Sequence, residues 1–179
     1  MSPGHGSNPE RTCKGLSMRG LRWLWLSALV LILDQVTKAW AVNTLLGSPP
    51  IVVIPGFFDF SLVYNSGAAF GILADAQGWH NVFFIIVALL VSVFLIWSLY
   101  RLEPTDIQTT VAFALIFGGA VGNVVDRLRQ GYVVDFVHWF YSDWHWPTFN
   151  IADAAISVGA VLLLMDLMGI RWLGKNSRN

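Results

Sequence analysis

The sequence predicts a membrane all-α protein: four transmembrane helices with a small extracytoplasmic β-sheet and a short surface helix. Three observations carry this. Apolar residues make up 55% of the 179 residues and charged residues only 12%, about half the charged share of a typical soluble domain. The mean hydropathy is +0.59. The apolar residues also arrive in four long blocks, each near the ~20 residues that a helix needs to cross ~30 Å of hydrocarbon.

The first block runs from Leu21 to Val42, the second from Val82 to Tyr100, the third from Thr109 to Val125 and the fourth from Ile151 to Ile170. In lipid each must be helical, because every backbone amide there needs an internal partner. Residues 1–20 are rich in Gly, Ser, Pro and charge and read as a disordered cytoplasmic leader. A cleavable signal peptide ending near Ala39-Trp40-Ala41 is the competing reading of the first block. Asp34 and Lys38 interrupt that segment, and three more apolar blocks follow it. The expected organisation is therefore a disordered cytoplasmic leader (1–20), a four-helix transmembrane domain (21–170) with an outer insertion (43–81), and a cytoplasmic tail (171–179).

Orientation follows from Lys and Arg. Arg11, Lys14, Arg19 and Arg22 precede the first block, Arg101 follows the second, and Arg171, Lys175 and Arg178 follow the fourth. The connection from Asn43 to Asn81 has no Lys or Arg, and the one after the third block has only Arg127 and Arg129 at its start. The positive-inside rule then puts both termini in the cytoplasm and the two longer connections outside. Trp23, Trp25, Trp40, Trp79, Trp97 and Trp172 lie near block ends, as an interfacial aromatic belt would.

The outer connections carry structure of their own. Ile51 to Ile54 and Phe57 to Tyr64 are β-branched and aromatic, with Pro55-Gly56 as a turn between them. Asn65 or Ser66 is placed to cap a short helix through Leu73. The second connection holds an extended piece from Tyr132 to Val137 and then an aromatic stretch from Trp139 to Trp146.

Composition also excludes some functions. A formal net charge of zero leaves no basic surface for nucleic acid. Cys13 is the only cysteine, so neither an internal disulfide nor a thiolate metal site can form within one chain.

A charged side chain at the middle of a membrane helix costs about 2.5–3.5 kcal/mol on insertion scales, so each one needs a reason. In the first block Asp34 and Lys38 are four apart and share a helix face, with Gln35 beside them. The third block ends in Asn123, Asp126 and Arg127, again on one face. The fourth begins with Asn150 and Asp153. Topology places all three clusters toward the outer side, with Asn65 and Asp135 in the outer connections. Each cluster also has a plain structural reading: an ion pair that fixes packing, interfacial residues reaching water, an Asn that only caps a turn. Asp153, an acid in an apolar helix without a cation nearby in sequence, resists such a reading best. Asp135, between Val134 and Phe136, is next.

Taken in order, Asp34-Gln35…Lys38, Asn65-x-Gly67-Ala68-Ala69-Phe70, Gly122-Asn123-x-x-Asp126-Arg127, Val134-Asp135-Phe136 and Phe149-Asn150-x-Ala152-Asp153 resemble the bacterial lipoprotein signal peptidase (signal peptidase II) family. The resemblance runs from Leu21 to Gly169. It departs from the family pattern in the long leader and in Ala154, where many relatives carry Ser.

The resemblance implies an aspartyl endopeptidase with Asp135 and Asp153 as catalytic pair. It implies as substrate a prolipoprotein whose cysteine already bears diacylglycerol, cut just before that cysteine. The implied partners are this precursor and membrane lipid. The implied location is the bacterial inner membrane, and a monomer is expected. Elementary chemistry reaches the same pair, since hydrolysis without a metal or a Ser or Cys nucleophile needs an activated water. Two adjacent carboxyls sharing one proton can supply it. Asn123 and Asn150 are then expected to orient the acids, Asn65 with Gly67 and Arg127 to hold substrate backbone or the oxyanion, and Asp34 with Lys38 to fix the first helix. Asp126 joins this supporting set.

Two other classes compete. His138 and His145 suggest a metallopeptidase, but H-E-x-x-H or similar spacing is missing, and no metal or other cofactor is assigned to the chemistry. A proton path or small transporter would also use intramembrane acids. It should carry polar groups toward both faces, whereas the inner halves of the last three blocks are nearly all apolar, Asp166 being the main exception.

Overall fold

A computed structural model describes residues 20–67, 79–103 and 105–173. The expected leader and the expected surface helix lie outside the described residues, apart from Gly20 at the end of the leader and Gly67 at the start of the helix.

A single 3-10 turn (Gly20–Trp23) leads into α1 (Leu24–Leu45). Two strands follow, β1 (Ile51–Ile54) and β2 (Phe58–Asn65), then α2 (Trp79–Arg101) and α3 (Ile107–Gln130). Strands β3 (Val133–Tyr141) and β4 (Trp144–His145) precede α4 (Ile151–Leu167). Three helical stretches, Gly20–Leu45, Trp79–Arg101 and Ile107–Gln130, are long and apolar enough to cross a membrane. Helix α4 is apolar but shorter, 17 residues, because the chain turns at Gly169, where φ is +78°.

The helices bury polar residues along their protein-facing seams and leave large apolar ones exposed. Helix α1 covers Ser27, Val30, Asp34, Lys38, Ala41 and Leu45, a stripe at three- and four-residue spacing. Its Trp25, Leu29, Ile32, Leu33 and Val36 are exposed. Helix α2 buries only Ser92, Leu95 and Leu99, as expected of a helix with one protein-facing seam.

Helix α3 is the centre of the bundle, and small residues let its neighbours close on it. A Cβ on Gly118 would lie 2.9 Å from Ser27 Cα, and one on Gly119 would meet the carbonyl oxygen of Ala152. Ser27 Oγ donates to the Ala114 carbonyl at 2.7 Å, adding a hydrogen bond where apolar attraction between helices is weak. At the far end, Gln108 Nε2 donates to the carbonyls of Leu162 (3.1 Å) and Ile170 (3.0 Å). Arg171 pairs with Asp166 at 2.6 Å and Asp106 at 3.0 Å, tying the chain after α4 back to the start of α3.

The sheet joins the α1–α2 and α3–α4 connections, which the sequence reading did not anticipate. Its order is β1-β2-β3-β4 with every pair antiparallel. β3 extends to Tyr141, beyond the expected end at Val137, because β2 offers it a partner: Asn65 faces Val133 and Phe58 faces Trp139. The segment entering α4 also lies along β3, with Val137 bridged to Phe149. Phe136 packs against Ala41 and Leu45 of α1, seating the sheet on the bundle end.

Because α3 and α4 touch backbone to backbone at Gly119, Gly119→Leu is expected to destabilise the protein by about 3 kcal/mol or more. Thermal unfolding of the purified variant in detergent checks this.

Candidate active site

The site begins with a buried ion knot. Lys38 Nζ lies 2.8 Å from Asp34 Oδ2 and 2.9 Å from Asp126 Oδ2, and donates to Asn123 Oδ1 at 3.1 Å. All three donor positions of the ammonium are thus used. Gln35 Nε2 spans the same two acids, at 3.2 Å from Asp34 and 2.9 Å from Asp126. Each acid also accepts from a backbone N–H: Asp34 from Ala152 at 3.0 Å and Asp126 from Val134 at 3.2 Å. The knot therefore bonds α1 to α3, to the start of α4 and to β3.

From this knot the polar chain continues toward the sheet. Asn123 Nδ2 donates to Asp153 Oδ1 at 2.8 Å. Asn150 is the N-cap of α4 and forms a capping box with Asp153. Its Oδ1 accepts from Asp153 N at 2.9 Å, and its own N–H donates to Asp153 Oδ2 at 3.3 Å. Asn150 Nδ2 also donates to Asp135 Oδ1 at 2.7 Å. One fully buried residue thus holds both carboxyls, that of Asp135 through its side-chain amide and that of Asp153 through its backbone N–H. Asn65 Nδ2 donates to the other Asp135 oxygen at 2.9 Å. The β2–β3 register sets that bond by placing Asn65 two residues along from the partner of Asp135, Val63. Asn65, expected on substrate, is thereby placed on an acid. Its Oδ1 accepts from Gly67 N at 2.8 Å, a tight turn in which Gly67 has φ +84°.

Asp135 is 1% exposed. Burial pushes its pKa up to about 6. The amide of Asn65 opposes that rise, and the charge of Asp153 adds to it.

Arg127 leaves the knot. Its guanidinium sits 5.0 Å over the ring of Phe84 on α2, and Asn81 Nδ2 donates to its backbone carbonyl at 3.3 Å. Arg127 Nε and Asn81 Oδ1 are buried without a hydrogen-bond partner. Sequence reasoning had no role for Gln35, Asn81 or Phe84. Gln35 carried a signal, as an amide inside an apolar block. Asn81 and Phe84 looked like an ordinary helix start, and only the α2–α3 packing singles them out.

A cavity of about 250 Å³ between α1 and α3 is lined by Gln35, Lys38, Asn43, Asp126 and Arg129 among others, and by neither Asp135 nor Asp153. It reaches the knot, not the acid pair.

A family profile described as "Signal peptidase (SPase) II" matches residues 26–169. The chain belongs to that family. It is 43% identical to the lipoprotein signal peptidase of Pseudomonas syringae pv. tomato, across 93% of this chain and 97% of the relative. To that of Alteromonas mediterranea it is 49% identical, across 83% and 81%. A solved structure titled "Bacterial membrane enzyme structure by the in meso method at 1.9 A resolution" superposes with a TM-score of 0.73 at 33% identity, covering 82% of this chain and 92% of that one. As a signal peptidase II the protein is an aspartic peptidase of the lipoprotein signal peptidase kind, with the apolar helices of a membrane enzyme.

Two outcomes follow from this geometry. A Cβ on Gly122 would stand 2.7 Å from Asp34 Oδ2, so Gly122→Ala is expected to lower stability by about 1–3 kcal/mol and to reduce turnover by disturbing the knot. Turnover and melting temperature of the variant test it. The raised pKa of Asp135 means that the folded state holds this proton more tightly than the unfolded chain does. Wild-type stability should therefore fall as pH rises from 4 through about 6, and Asp135→Asn should lack that fall. Melting temperatures of both proteins across this range decide it.

Proposed function

We infer that this peptidase removes signal peptides from diacylglyceryl-modified prolipoproteins, cutting before the lipidated cysteine, with Asp135 and Asp153 as its catalytic dyad. The observation that carries the reading is the single buried Asn150, which hydrogen-bonds both carboxyls at the junction of β3 and α4. The curated relatives named lipoprotein signal peptidase support the substrate class.

In this mechanism the dyad holds one proton between its two carboxyls. Asp135, whose burial favours its neutral form, hydrogen-bonds the scissile carbonyl. Asp153 lies in the first turn of α4, where helix ends accommodate anions, and takes a proton from the attacking water. The water adds to the carbonyl carbon, and the resulting tetrahedral species collapses as the amine leaves with a proton from the dyad. Arg127 Nε, buried and unpaired, donates to a substrate carbonyl. Leaving such a donor empty costs about 1–3 kcal/mol, which binding recovers. Asn123, Asn150 and Asn65 hold the acids, and Asp34, Lys38 and Asp126 hold the helices that carry them.

The proposed setting is the bacterial inner membrane, with four membrane-spanning helices, α4 being the fourth, and both termini in the cytoplasm. Lys and Arg distribution supports that orientation. The domain would run from 21 to 170, flanked by the leader and tail, and act as a monomer.

The test is cleavage of a diacylglyceryl-modified prolipoprotein by the detergent-purified protein in EDTA. Wild type is expected to cut before the modified cysteine. Asp135→Asn and Asp153→Asn are each expected to fold and to lose at least about a hundredfold in rate, the usual scale for positioned acid–base groups. A variant that keeps wild-type turnover would remove that acid from the dyad.

A further inference from the structure

Outside the dyad, one group of side chains has the chemistry of a ligand site. On the sheet, His138 Nδ1 lies 3.1 Å from Asp59 Oδ1, and His138 Nε2 lies 3.0 Å from His145 Nδ1. The two imidazole planes are within 6° of each other. With the nitrogens this close, the rings meet edge to edge in one plane, not face to face. Both rings are also backed by Phe140, at 19° and 15° to its plane.

The backbone makes this arrangement rigid. Asp59 pairs with His138 across β2 and β3, and Phe140 pairs with His145 across β3 and β4, so His138 and His145 are diagonal neighbours on paired strands. His138 is mostly covered, with 18% of its side chain exposed. His145 is exposed.

We propose that His138 Nε2 and His145 Nδ1 form a two-histidine site for a borderline transition-metal ion such as Zn²⁺ or Cu²⁺, separate from the peptidase dyad. Two nitrogens on a tetrahedral ion, each ~2.0–2.1 Å from it, stand ~3.3 Å apart. The observed 3.0 Å is within a few tenths of that, but the facing lone pairs point along the N–N line. The two rings must therefore turn by roughly 35° each to converge on the ion, a rotation that the exposed His145 side chain has room to begin. Asp59 supplies what metal-bound histidines generally have behind them, a carboxylate that accepts from the other ring nitrogen and fixes the tautomer. The proton between the rings is accommodated without net loss. His145 carries its proton on Nε2 instead of Nδ1, exchanged through solvent, and both facing nitrogens then present lone pairs. Water fills the remaining positions, because among the described residues no group of three or more His, Cys, Asp or Glu is placed to hold a metal ion. Imidazole donors suit Zn²⁺, Cu²⁺ and Ni²⁺, and the Irving–Williams order places Cu²⁺ tightest. The ion would join β4 to β3, the strand that also carries Asp135, and stabilise the folded state by mass action.

The experiment is calorimetric titration of the tag-free full chain in detergent with Zn²⁺ and, separately, Cu²⁺. Wild type, His138→Ala, His145→Ala and Asp59→Asn are compared; His5 and Cys13 are present in all four. The expected result is one saturable site, tighter for Cu²⁺, abolished by either histidine substitution and weakened ten- to a hundredfold by Asp59→Asn. Zn²⁺ should also raise the melting temperature of wild type but not of His145→Ala, whose exposed position keeps folding out of the question. Binding that survives His145→Ala, or that is as tight in Asp59→Asn as in wild type, overturns the proposal. Cleavage in EDTA is measured on the same preparations, so failure here leaves the peptidase reading untouched, and the reverse.

Discussion

A single ammonium group anchors the bundle. Lys38 is buried in an apolar helix with Asp34, Asp126 and Asn123 around it, and such a cation persists in that environment only when fully paired. The partners come from α1 and α3, and the two carboxylates also accept from the backbone of α4 and β3. One electrostatic requirement therefore sets the relative position of four elements, among them β3 and α4, which carry Asp135 and Asp153. Removing any partner would strand a charge and not merely lose a bond.

That arrangement depends on bare backbone. Asp34 can reach Ala152 N only because residue 122 is glycine and leaves room for its carboxylate. The same economy recurs at Gly118 and Gly119, where α3 meets α1 and α4. Small residues and buried ions are thus two halves of one device. The first let helices approach, and the second make only one approach satisfactory.

Much of this was legible in the residues and some was not. The four apolar blocks, the strand at Ile51–Ile54 and the Asp34–Lys38 pair depend on local spacing, which sequence displays directly. Asn150 with Asp153 is likewise a local cap. The second partner of Lys38, Asp126, lies on another helix, and no periodicity announces which helices touch. The length of β3 was missed for a related reason. Its residues past Val137 are extended because β2, from a different connection, pairs with them, and the register of such a pairing depends on a bulge between Phe60 and Val63. Asn65 shows the same gap: the turn it caps is local and legible, whereas its second bond, to Asp135, emerges only once the register is known. Arg127 shares the local face of Asp126 yet turns to Phe84, a choice made by α2 packing.

The bridge between Val137 and Phe149 bears on when the enzyme becomes active. Synthesis delivers Lys38 and both of its acids well before it delivers Asn150 and Asp153. A nascent chain can therefore assemble its scaffold while lacking half of the acid pair. Only when the last helix has been made and its entry segment has zipped against β3 does Asn150 bond both carboxyls. With Asp135 and Asp153 as the proposed dyad, the order of translation keeps the peptidase inert until its last helix is made.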